Sequence, residues 1–229
     1  MSAPLSVIVP TWQAADRLGP CLGALSEALF DGLILEVILA DGGSGDQIAE
    51  VADAVGARLV TAPKGRGRQL AAGARAANGA WLLFLHADSV MGHGWHLAVR
   101  KHMAEARDCG GFFQLAFDTD QPVARVVAGW ANLRARWLRL PFGDQGLLIS
   151  RQIYEQTGGY PETDLMEDIA IARALGRKLR PLGAQIVTSA ERYQREGWFR
   201  RGGRNLYLQT RYFMGADPKD LATRYRRNT

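Results

Sequence analysis

Leu5-Ser6-Val7-Ile8-Val9, Leu35-Glu36-Val37-Ile38-Leu39-Ala40 and Trp81-Leu82-Leu83-Phe84-Leu85 are the stretches on which the fold turns. Each is a short, nearly continuous apolar run, the pattern of a strand buried on both faces. Between the first two, Leu18, Leu22, Leu25 and Leu29 recur at helical spacing and predict one amphipathic helix. After the second, Ser44 and Gln47 have the capping-box form for a helix carrying Ile48, Val51 and Val55. Arg58–Thr61 reads as a further strand, and Gly65–Gly67 opens a helix through Leu70, Ala74 and Ala77. Strand and helix thus alternate over residues 5–85. That order implies right-handed crossovers and a mainly parallel sheet with helices on both faces. Ligands of such sheets bind at the carboxyl ends of the strands. The residues to inspect are therefore Pro10-Thr11, Asp41, Ala62–Arg68 and His86-Ala87-Asp88.

The second half is less regular. Gly111–Phe117 and Gly146–Ser150 read as strands, the first antiparallel, and Gln185–Ser189 as a last strand. Residues 123–138 read as a helix, Glu167-Asp168 open another that ends near Gly176, and residues 198–214 form a basic, aromatic-rich helix. Asp217-Pro218 starts a final short helix.

Composition bounds the answer. The chain has 229 residues, 47% apolar and 22% charged, an ordinary globular mix that excludes a disordered or collagen-like chain. The longest uncharged stretch, Met1–Ala15, is too short to span a membrane and contains Pro4 and Pro10. It also lacks the basic start of a signal peptide. Two cysteines, Cys21 and Cys109, give no disulfide framework, so a cytoplasmic location is expected. From Ala190 onward there are ten basic and four acidic side chains, against 18 and 19 in the remainder. A basic tail on a neutral body suggests an anionic partner.

Asp41 and Asp88 each end a predicted strand and are placed to meet over one ligand, as ribose contacts or around a divalent cation; helix capping is the alternative. Gly65-Arg66-Gly67-Arg68-Gln69 offers close backbone approach and two guanidiniums, suited to a diphosphate, with no role assigned to Gln69. It lacks the spacing of a P-loop. Phe142-Gly143-Asp144-Gln145-Gly146 reads as a ligand-facing loop or a plain turn. His86, His93, His96 and His102 read as exposed helix residues rather than a zinc site.

Taken in order, Val7-Ile8-Val9-Pro10-Thr11, Asp41-Gly42-Gly43-Ser44-x-Asp46, Gly67-x-x-Leu70-x-x-Gly73, Phe84-Leu85-His86-Ala87-Asp88, Gly146–Arg151, Gly158-Gly159-Tyr160-Pro161-Glu162 and Glu167-Asp168 resemble the family 2 inverting glycosyltransferases of GT-A fold. The chain looks most like a bacterial branch associated with radical-SAM proteins and selenodomains. The resemblance implies a single GT-A-like domain over 1–229. Residues 1–90 would be the nucleotide-sugar half, 91–190 the acceptor and catalytic half, and 191–229 a basic helical extension. It implies donor contacts from Pro10, Thr11, Asp41, Ser44, Arg66, Arg68 and Asp88, with Asp88 also holding Mg2+ or Mn2+. Asp168, paired with Glu167, would be the catalytic base. Asp144, Gln145, Arg192, Arg195 and Trp198 are expected on the acceptor or diphosphate side. One departure is His86, which stands where the family's Asp-x-Asp motif has its first acid; another is Ala14-Ala15, where an acid or amide is frequent. The expected partners are a nucleotide-sugar donor, a UDP-sugar first, a small-molecule or lipid-linked acceptor and the inner face of an anionic membrane; no nucleic acid is expected. The alternatives are a catalytically weak nucleotide-binding protein and a nucleic-acid binder using the basic tail.

Overall fold

The computed structural model describes residues 3–227. The first half runs β1 (Leu5–Thr11), α1 (Leu18–Gly23), α2 (Ser26–Phe30), β2 (Ile34–Asp41), α3 (Ile48–Val55), β3 (Arg58–Thr61), α4 (Arg66–Ala76) and β4 (Trp81–Phe84). The second half runs β5 (Ser89–Met91), α5 (Trp95–Glu105), β6 (Gly110–Phe117), α6 (Pro122–Leu138), β7 (Leu147–Ser150), α7 (Arg151–Gln156), α8 (Glu167–Leu175), β8 (Leu179–Thr188), α9 (Glu191–Glu196), α10 (Trp198–Phe213) and α11 (Pro218–Arg227).

One eight-stranded sheet has the order β3-β2-β1-β4-β7-β6-β8-β5. β1 to β4 are mutually parallel where they pair; β7 runs antiparallel to both β4 and β6, while β8 is parallel to β6 and antiparallel to β5. This is an α/β fold with a curled, mostly parallel mixed sheet flanked by helices, of the GT-A kind.

The apolar runs are continuous because both faces are covered. Leu5, Val7 and Val9 pack with Leu18, Ile48, Trp95 and Leu83 on one side. Ile8, Leu82 and Phe84 pack with Leu70, Ala74, Ile153 and Ile171 on the other. Alternate residues of a strand point to opposite faces, so each run feeds two cores. Leu83 is fully buried, and truncating such a side chain to Ala costs about 2–5 kcal/mol.

Several local expectations are corrected. The predicted helix over Leu18–Leu29 is two helices, α1 and α2, with Leu29 exposed; Gly19, Pro20 and Gly23 within that stretch are poor helix formers. Ser44 caps nothing: Gln47 precedes α3 without a side-chain cap bond, and Ser44 turns back to Asp41. The last strand is longer than Gln185–Ser189, because its N-terminal part pairs in parallel with the start of β6. His102 is buried, its Nε2 3.0 Å from the carbonyl oxygen of Cys109. His86 lies after β4 rather than on a helix.

Candidate active site

The carboxyl ends of β1 and β2 are in register, Thr11 opposite Asp41. That register lets the Thr11 hydroxyl donate to Asp41 Oδ1 at 3.0 Å, and the Ser44 hydroxyl donates to the same oxygen at 2.6 Å. The backbone N–H groups of Gly43 and Ser44 donate to Oδ2 at 2.8 and 2.7 Å. Burial alone would raise the pKa of Asp41, but these hydrogen bonds outweigh it and hold it below the usual carboxylate range. Asp41 is a satisfied, buried brace of the strand ends. Asp88, and not Asp41, is among the residues that line the cleft described below.

Gln69 on α4 is a second brace that sequence reasoning passed over. Its Nε2 donates to the carbonyl oxygens of Thr11 at 2.6 Å and Ala40 at 2.9 Å, tying β1 to β2. A lone Gln inside a helix carries no motif, so only its burial and partners reveal it. Trp12 was also missed: half-exposed on the cleft wall, its ring lies under the Lys64 ammonium, 3.5 Å from the centroid.

The cleft begins at this wall, lined by Pro10, Thr11, Trp12, Arg17 and Gln69, and continues past Arg66, His86, Asp88 and Arg192. Beyond them it is walled by Gly143, Asp144, Asp168, Tyr193, Arg201 and Asn205. Arg66, Asp88, Asp144, Asp168 and Arg192 thus line one cleft. Arg68 does not: it pairs with Asp164 and donates to the Lys64 carbonyl oxygen. The glycines of that loop answer to packing. A Cβ on Gly67 would lie 2.3 Å from the Pro161 carbonyl oxygen, so the loop is small there to admit the 161–163 segment.

Glu167 and Asp168 part company at the start of α8. Glu167 is fully buried, its Oε1 paired with Arg66 and its Oε2 without a hydrogen bond. Burial raises its pKa and Arg66 opposes that rise. It does not line the cleft, which corrects its placement as a catalytic group in contact with ligand. Asp168 does line it; its Oδ2 accepts the Gly143 N–H at 3.0 Å and its Oδ1 accepts the Ile169 N–H at 2.8 Å. Met166, just before them, has φ 66°, a conformation uncommon for a long side chain, and this turn aims the two acids apart.

Asp144 faces Arg134, whose guanidinium lies 3.4 Å from the centroid of the Phe142 ring. Burial pushes its pKa up to about 6, against the pull of Arg134, and its Oδ1 has no hydrogen bond. His86 is held neutral: burial, then Arg66, lower its pKa to about 4. Its Nε2 would lie 2.4 Å from a Cβ on Gly143, so only glycine fits at 143.

Three acceptor-side expectations are corrected. Gln145 is fully buried and donates to the carbonyl oxygen of Phe113, a strand brace rather than a ligand contact. Trp198 packs edge-on against Phe117 and stacks on Tyr193, with its N–H on Gln121. Arg195 is exposed on α9 and lines none of the cleft. The basic helix is also less free than its composition suggests, because Arg201 is buried and, with Arg204, pairs with Glu196.

A hard cation takes oxygen ligands. Among the described residues no group of three or more His, Cys, Asp or Glu side chains is arranged to hold a metal. Asp88, Asp144 and Asp168 put carboxylate oxygens into the cleft lining.

The family described as glycosyl transferase family 2 matches residues 6–159. The chain belongs to that family. No curated protein sequence matches it significantly. Among solved structures, S. aureus TarS 1-349 with UDP-GlcNAc is 15% identical, with a TM-score of 0.63 over 82% of this chain and 58% of that one. The mannosyltransferase PcManGT from Pyrobaculum calidifontis, with GDP-Man and Mn2+, is 16% identical, with a TM-score of 0.66 over 96% and 67%. Glucosyl-3-phosphoglycerate synthase from Mycobacterium tuberculosis, with Mn2+, UDP and phosphoglyceric acid, is 19% identical, with a TM-score of 0.53 over 81% and 68%. At these identities the likeness is one of fold, and the family 2 chain described here spans little more than half of TarS 1-349.

Proposed function

We propose that this family 2 chain is an inverting hexosyltransferase of the radical-SAM/selenodomain-associated branch. It would move a sugar from a nucleotide-diphosphate donor, a UDP-sugar first among candidates, to an acceptor hydroxyl. The observation that carries this reading is the single cleft in which the β1–β4 wall faces Asp168 across Asp88 and Arg66. Fold relatives crystallised with UDP-GlcNAc and with GDP-Man support a nucleotide-sugar donor. We read residues 1–229 as one domain, because one sheet runs through both halves.

Pro10, Thr11 and Trp12 would flank the nucleoside, with Asp41, Ser44 and Gln69 bracing that wall from behind. Arg66 and Arg192 would face the diphosphate. Asp168 would accept the proton of the acceptor hydroxyl as its oxygen bonds to the anomeric carbon. The bond from that carbon to the diphosphate oxygen then breaks on the opposite side, and the nucleoside diphosphate leaves. The Gly143 N–H holds Asp168 Oδ2 in place for this. Asp88 would hold Mg2+ or Mn2+, which when bound neutralises charge developing on the leaving diphosphate. Neutral His86 leaves the negative charge at that point to Asp88. The acceptor would be a small or lipid-linked molecule, met in the cytoplasm or at the inner membrane face.

The test is a thermal-shift panel of UDP, GDP, CDP and ADP, each with and without Mn2+. One nucleotide should raise the melting temperature selectively, since a ligand at 100 times its Kd adds about 2.7 kcal/mol to folding. No shift with any of them, with or without Mn2+, would remove the donor reading.

A further inference from the structure

The outward faces of α6 and α10 carry large side chains that stand exposed among the described residues, although Phe213 has Arg173 of α8 5.6 Å from its ring centroid. On α6, Ala124, Ala128, Ala131 and Ala135 are buried inward. The opposite face bears Val126, Trp130, Leu133 and Trp137, one per turn, with Trp130 58% and Trp137 76% exposed. α10 packs against α6 and has its own outward row, Phe199, Leu206 and Phe213, with Phe199 88% exposed. An amphipathic helix ordinarily turns such a row to the core. Here α6 turns its alanines inward and its tryptophans to water, and α10 leaves Phe199 on water while Leu208 is buried.

Neither α6 nor α10 contains an Asp or Glu, and Arg136 and Arg200 are exposed beside the rows. Arg125 is exposed as well and pairs with the exposed Asp120 just before α6. Arg134, Arg201 and Arg204 point inward and are engaged there. Trp, Phe and Leu on two helices whose charged residues are all arginine match the lipid–water interface of an anionic bilayer, where aromatic rings sit at headgroup level. No described helix is long and apolar enough to cross a membrane, so such contact would be peripheral. The same two helices carry Arg134 against Phe142 and Arg201 into the cleft lining from their inward faces.

We infer that the α6–α10 face is a docking surface for an anionic phospholipid bilayer, with Trp130, Trp137 and Phe199 entering the interface. This extends the peripheral contact proposed above, but vesicle binding needs neither donor nor transfer, so the two can fail separately.

The experiment is co-sedimentation of the full chain with vesicles of phosphatidylcholine alone and of equal parts phosphatidylcholine and phosphatidylglycerol. Wild type is compared with Trp130→Gln/Trp137→Gln and Arg136→Glu/Arg200→Glu, each checked for an unchanged melting temperature. Wild type should bind the anionic vesicles with a blue shift of Trp emission. The double Trp variant should bind on the order of tenfold or more weakly, and the charge-reversed variant should lose most of the low-salt binding. Absence of wild-type binding at low salt would overturn the inference, as would undiminished binding by the Trp variant. Equally decisive against it would be a wild-type dimer in solution, broken by the Trp substitutions, with no vesicle association; the face would then serve a second copy of the chain.

Discussion

Asp41 and Asp144 are two cleft-side carboxylates held in opposite ways. Asp41 receives four hydrogen bonds from its own turn and from β1, and stays ionised below the usual range. Asp144 has an oxygen with no hydrogen bond at all, and burial lifts its pKa to about 6. The difference runs through the walls that hold them. The β1–β2 strand ends are tied together by Gln69 and Ser44. The opposite wall, from Phe142 to Asp168, keeps charges poorly served by hydrogen bonds: Asp144, and Glu167 whose partner is Arg66. Under the proposed function, the first wall would only have to fit a nucleoside and can be set at folding, whereas the second would exchange protons and receive changing charge.

The largest effect that sharpens this contrast is Asp168→Asn. Turnover should fall about 10²–10⁴-fold, the usual worth of a positioned base, while nucleotide affinity stays unchanged. Near wild-type turnover with an identified acceptor would move the base elsewhere on that wall. Next is Arg66→Leu, which leaves the fully buried Glu167 without its counter-charge; urea unfolding should show a loss of about 3 kcal/mol. A loss below about 0.5 kcal/mol, the range of ordinary surface substitutions, would mean that the pair is not a structural support.

The smallest effects separate the two carboxylates by sign. With its folded pKa lowered, Asp41 contributes stability above its unfolded pKa, lost as pH falls through the folded one. Asp41→Asn should therefore lower stability at pH 7 and flatten the acid limb. Asp144 is the reverse, because between about pH 4 and 6 the folded chain holds a proton that the unfolded chain has released. Stability should fall as pH rises through that window, and Asp144→Asn should remove the fall and add roughly 1–3 kcal/mol at pH 7. Identical pH profiles for the two variants would erase the contrast.

The sequence was most legible where local chemistry and tertiary role coincide. The β1, β2 and β4 runs are apolar on both faces because both faces are covered, and the acids at α8 sit where its N-terminus was expected. It misled where a residue answers to distant partners. Ser44 has the spacing of a cap but spends its hydroxyl on Asp41. Gly67 looks like a phosphate loop yet makes room for the Pro161 carbonyl oxygen. Arg68 is drawn off by Asp164, 96 residues away. Gln145 sits next to Asp144 in a loop that suggested a ligand, but β6 claims it. The apolar row on α6 was also hidden, since residues 123–138 read as an ordinary helix until the alanine face proved to be the buried one.

The central claim is that the two walls share a donor across Asp88. Calorimetry with UDP, or with the nucleotide selected by the thermal-shift panel, tests it most directly, comparing wild type and Asp88→Ala with and without Mn2+. Wild type should bind more tightly with Mn2+, and Asp88→Ala should bind with one affinity whether or not the cation is present. Binding by Asp88→Ala that keeps the full Mn2+ dependence would contradict the account.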